Sequence, residues 1–122
     1  MDIAAPGRPE VLLGAQARIR AGQAADVPAR LQTWVALHPR DAAAWQTLAS
    51  AYAAQGQTLR SIRAEAEAQV AHLDYAAAVD RFKAAQELVR RTGASGDHIE
   101  ASIIDTRARQ VQSMLREQAL ER

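Results

Sequence analysis

The sequence predicts an all-α fold, built as a solenoid of helical hairpins with about six antiparallel helices. Three observations predict it. Alanine supplies 29 of 122 residues against only six glycines and four prolines, a composition that favours helix over strand. Glycine, proline and aspartate recur where helix stops and starts would fall. Gly22 and Gly56 stand 34 residues apart, a period found in stacked helix-pair repeats.

Each element follows from its punctuation. Residues 1–8, with Pro6 and Gly7, read as a flexible N-terminal segment, and a single helical domain occupies 9–120. A first helix spans about 9–21 and ends at Gly22. A second runs about 24–37 and stops before His38-Pro39, because the residue preceding proline disfavours helix. Pro28 within its first turns moves the start toward Asp26 or Val27. Asp41 is an N-cap for a third helix, about 42–54, ended by Gly56. A fourth opens at Gln57 or Thr58 and reaches about Leu73. Asp74 caps a fifth, about 75–91, stopped by Thr92-Gly93. Asp97 with Glu100 forms the pattern of a capping box for a sixth helix, about 98–119. The apolar stripe of that helix is Ile99, Ile103, Ile104, Ala108, Val111, Met114 and Leu115. The expected hairpins are 9–38, 41–73 and 75–119, with the last helix a cap over the apolar edge.

Trp45, Leu48, Ala49, Tyr52 and Gly56 follow W-x2-L-[GA]-x2-Y-x3-G, the first helix and turn of a tetratricopeptide repeat. Asp74, Tyr75, Ala78, Phe82 and Ala85 follow D-Y-x2-A-x3-F-x2-A, the second helix of such a repeat. In one regular repeat the Trp and Phe positions lie 20 apart. Here Trp45 and Phe82 are 37 apart. The excess of 17 is half a repeat, so residues 57–73 read as one additional helix between two recognisable halves. Helical spacing assigns Trp45, Tyr52, Tyr75 and Phe82 to the core rather than to a ligand.

Several function classes find no support in the residues. The chain has no cysteine and a formal net charge of +1, so thiolate chemistry is absent and no large basic patch points to nucleic acid. No apolar run is long enough for a membrane span, and the N-terminus lacks the features of a signal peptide. His38, His72 and His98 form no metal-ligand pattern and read as surface or capping residues. Gly93 and Gly96 match no nucleotide fingerprint, and no serine sits in a nucleophile elbow. Glu65 and Glu67, two apart on a helix, face different ways. Arg63–Glu67, Glu87–Arg91 and Asp105–Arg109 read as i,i+4 surface pairs. No catalytic, cofactor or metal residue is assigned. With no asparagine and one lysine, the chain also lacks the residues of a co-chaperone carboxylate clamp. A binding groove would be lined by Arg18, Gln46, Ser50 and Ala53.

A wider resemblance covers residues 10–119. Its carriers are Leu31, Trp34, Pro39 and Asp41 leading into Trp45–Gly56; the run Leu59–Ala68; Asp74–Gln86; and Glu100–Arg107. This order resembles the C-terminal tetratricopeptide region of periplasmic zinc metalloproteases of the barrel-assembly-enhancing type. The resemblance implies a non-catalytic protein-protein interaction region. Its partners would be outer-membrane barrel-assembly components or unfolded substrate. The zinc and its H-E-x-x-H motif belong to an N-terminal domain that this sequence does not include. It also implies that the chain is part of a longer, periplasmic protein. A chain of 122 residues that was the whole gene product would instead be a cytosolic adaptor or oligomeric scaffold.

Overall fold

A computed structural model describes residues 27–93 and 97–121. Five α-helices account for nearly all of them: α1 Val27–Leu37, α2 Ala42–Ala54, α3 Thr58–Ala71, α4 Tyr75–Thr92 and α5 His98–Leu120. The helix expected at 9–21, the N-terminal segment 1–8 and Arg18 lie outside the described residues.

The ends of the helices follow local chemistry. Val27 opens α1 with Pro28 next to it, where a missing N–H costs no helical bond. Asp41, Asp74 and Asp97 each accept a hydrogen bond from the backbone N–H three residues on, capping α2, α4 and α5. Gln57 precedes α3 without a side-chain cap bond. Gly56 and Gly93 take left-handed φ values of 72° and 69°, which suit residues without a Cβ.

Leu73 takes the same conformation, with φ 63°. Its N–H bonds to the Val70 carbonyl at 2.9 Å and that of Asp74 to the Gln69 carbonyl at 2.9 Å. These are the two bonds of a Schellman turn. A leucine there costs about 1 kcal/mol relative to glycine.

Helices adjacent in sequence pack against each other, and α3 also touches α5. Two cores result. One joins Val27, Leu31 and Val35 of α1, Trp45, Leu48 and Tyr52 of α2, and Ala64 and Ala68 of α3. The other joins Ala66 of α3 with Val79, Phe82 and Ala85 of α4 and Ile104, Ala108 and Val111 of α5. Residues 64 and 66 point about 200° apart on a helix, so α3 is a wall between the cores, with small side chains on both faces. On the α2 side the approach is close enough for Ser61 Oγ to donate to the Ala49 carbonyl at 2.8 Å. The helix that interrupts the repeat signature is therefore the middle one of the described helices.

Contacts between α3 and α5 rise together in number. Arg60 meets Asp97, Arg63 meets Glu100, Glu67 meets Arg107, and Gln118 Nε2 donates to the Leu73 carbonyl. The two helices therefore run in the same direction, as alternate helices of a hairpin stack do. Charges match in this register: two arginines then a glutamate on α3 face two acids then an arginine on α5.

Four expectations from the sequence change here. Arg63 does not pair with Glu67; both reach across to α5, because each neighbours an opposite charge at a half-buried seam where the attraction is less screened. Asp105 accepts from Gln86 Nε2 of α4 at 3.0 Å rather than pairing with Arg109. The capping box at α5 is one-sided. Asp97 caps the helix, while the Glu100 carboxylate turns away to Arg63. The expected apolar stripe of α5 is also narrower, since Ile99 is 78% exposed and Ile103 lies at the margin of solvent.

Candidate functional site

Gln46, Ser50 and Ala53 share one stripe of α2, and all three are exposed. Ser50 Oγ donates back to the Gln46 carbonyl at 3.2 Å, a common way for a helical serine to satisfy its hydroxyl. The Gln46 amide is thus the polar group this stripe turns outward. The stripe is a flat helix face, bordered by the buried residues Trp45, Leu48 and Ala49. Arg18, the fourth groove residue, lies outside the described residues.

The repeat-signature residues occupy the interior. Leu48, Ala78, Phe82 and Ala85 are fully buried, and Ala49 and Tyr52 nearly so. Trp45 is buried with its indole N–H donating to the Pro39 carbonyl at 2.9 Å. That bond ties α2 to the turn that precedes it. Tyr75 is partly buried against the second core, Asp74 is the exposed cap of α4, and Gly56 is the left-handed turn after α2. The Tyr52 hydroxyl accepts from the Gln32 side chain of α1, so its polar tip is satisfied where the ring is buried.

A recess of about 900 Å3 opens elsewhere, at the end of the stack where α1 and α3 terminate. Trp34, Leu37, His38 and Pro39 come from α1 and its turn, Arg40 to Ala43 from the start of α2, and Ala71 and His72 from the end of α3. The Trp34 and His38 rings lie 4.1 Å apart, tilted by 31°. Trp34 Nε1 donates to Asp41 at 2.9 Å while the other oxygen of that carboxylate caps α2. The acid of the recess is therefore engaged from within the fold. Leu37, which lines it, is 70% exposed, and Leu73, the next residue in the chain after His72, is 64% exposed.

No family model, curated protein or solved structure gives a significant match to this chain.

Reading the sequence helix by helix places His38 and His72 as unrelated surface residues. They are 34 apart, the same interval as the glycines, and each is the first residue after a helix, α1 and α3. That equivalence was the available signal that two helix ends meet at one place. Elsewhere, no helix of the described residues is long and apolar enough to cross a membrane, and they hold no group of three or more potential metal ligands.

Proposed function

We propose that this chain is a non-catalytic protein-interaction domain of tetratricopeptide type, the partner- or substrate-recruiting region of a periplasmic zinc metalloprotease that polices outer-membrane protein assembly. The observation that carries the reading is the split repeat. Trp45 and Tyr52 anchor one core, Phe82 and Ala85 anchor the other, and the half-repeat helix α3 separates them. A stack of this kind supports recognition because its helix ends and outer stripes remain open while neighbours bury one another.

Recruitment needs no chemistry from the chain itself. A bound segment held beside a protease domain raises the local concentration of cleavable substrate, so a modest affinity suffices. The half-buried ion pairs that tie α3 to α5 support this role by preordering the stack, which lowers the ordering cost of binding.

Site-specific photo-cross-linking in cells tests the reading. A photoreactive residue is placed in turn at Gln46, Ser50, Leu37 and Leu73 of the protein expressed from its own locus. The expected products are adducts with outer-membrane barrel-assembly components or with unfolded β-barrel substrates. Adducts confined to cytosolic proteins would refute the reading in favour of a free-standing adaptor or scaffold.

A further inference from the structure

We infer that the recess between the C-terminal ends of α1 and α3 docks an extended acidic peptide segment through an apolar anchor side chain. The inference rests on the reading of the chain as an interaction domain and specifies the chemistry of its partner.

The first support is an unusual leucine. Leu73 sits at a left-handed position where glycine is favoured, and its side chain is 64% exposed. The fold gains little from that side chain, yet the turn holds it outward. The Schellman bonds and the Gln118 bond to its carbonyl fix its direction. Strain maintained by its surroundings, with an apolar group aimed at solvent, is a feature of binding surfaces.

The second support is the apolar lining of the recess itself. A single exposed leucine is ordinary. Here Leu37, also largely exposed, forms the lip opposite the end of α3, with the Trp34 indole and Ala71 beside it. An anchor side chain entering between them would be covered on several sides. The recess is open on its outer side and about 900 Å3 in extent, which suits one or two large side chains of an extended segment.

The third support is charge. Asp41 already holds the Trp34 indole N–H and an N–H of the first turn of α2. Arg40 is exposed and makes no ion pair with another described residue. The fixed charge that the recess leaves unengaged is therefore positive, and the His38 and His72 imidazoles add hydrogen-bonding capacity beside it. The complement is a carboxylate next to the apolar anchor.

Fluorescence anisotropy with the full chain tests this. The probe is a fluorescein-labelled peptide with a Leu-Phe centre between glutamate pairs. One control replaces the glutamates by lysines, and another replaces Leu-Phe by Ser-Gly. Saturable binding is expected for the probe, with each control weaker by about tenfold or more. Arg40→Glu, Leu37→Ser and Leu73→Ser should each weaken binding by about tenfold, while Lys83→Ala, at an exposed position on α4 away from the recess lining, leaves it unchanged. The inference is overturned if the probe shows no saturation up to about 1 mM, or if all three peptides bind alike. It is equally overturned if the recess variants, with thermal midpoints matching wild type, bind as wild type does. Capture in cells through Gln46 or Ser50 without peptide binding would sink the recess and leave the recruiting role standing. Peptide binding without any envelope partner in cells would do the reverse.

Discussion

The paired charges between α3 and α5 offer the sharpest test of the architecture. Arg107 grips Glu67 as a fork, with Nε to Oε2 at 2.8 Å and Nη2 to Oε1 at 2.7 Å. The Glu67 side chain is 9% exposed and that of Arg107 29%. Replacing Arg107 by Met keeps the apolar stem and removes the charge. The Glu67 carboxylate is then left beside the second core with neither of those bonds. Breaking a buried pair in this way costs about 3–5 kcal/mol. The partial exposure of Arg107 lets water reach the orphaned carboxylate, which lowers the expectation to about 2–3 kcal/mol. Glu67→Gln should cost less, because an amide can keep one hydrogen bond. In a double-mutant cycle read by urea denaturation, the coupling energy should be about 1.5–3 kcal/mol, the range for charge-assisted bonds. Unchanged denaturant slopes would show that the unfolded state is not the source. A coupling below about 0.5 kcal/mol would refute the parallel register of α3 and α5. So would a larger coupling between Arg63 and Glu67, the pair expected from helical spacing alone.

Three further outcomes are expected. Trp45→Ala should cost about 3–5 kcal/mol, since it empties a core position and orphans the Pro39 carbonyl; an unchanged denaturation midpoint would place the indole on the surface. Asp97→Ala should cost about 1–2 kcal/mol, chiefly from the lost cap of α5, and hydrogen exchange at the first turn of α5 should quicken, whereas exchange unchanged there would contradict the cap. Leu73→Gly should raise stability by about 0.5–1 kcal/mol through relief of the left-handed strain; a lower melting temperature would mean that the leucine packs in the fold.

Local chemistry made most of the helix ends readable. Asp41, Asp74 and Asp97 cap α2, α4 and α5 because a short carboxylate can reach N–H groups only three residues away, an interaction wholly written in sequence neighbourhood. Gly56 and Gly93 mark left-handed turns for the same reason. Leu73 was less legible, since nothing in a leucine announces a left-handed φ; the need arises only once α4 must turn back along α3. Arg63 and Glu67 show the converse. Helical spacing offers them to each other, but each has a better partner across a seam that exists only when α3 and α5 pack. The exposed stripe of Gln46, Ser50 and Ala53 was legible as a face of α2. The recess was not, because its walls come from two stretches far apart in the chain, 34–43 and 71–72, that meet only where helix termini coincide.

What the sequence by itself determined, then, is the all-α class, the position of each described helix and the aromatic members of the cores, Trp45, Tyr52 and Phe82, since capping, glycine turns and helical periodicity act over a few residues. The tertiary structure decided that α3 becomes the wall between two cores. It decided that Glu67 faces α5 and Glu100 faces α3 rather than solvent, and that Leu37, Arg40, Ala71 and His72 line one opening. Those outcomes depend on which helix ends coincide in space. That is set by close approach through alanine faces and by charge register across a seam, and neither can be summed along a chain one segment at a time.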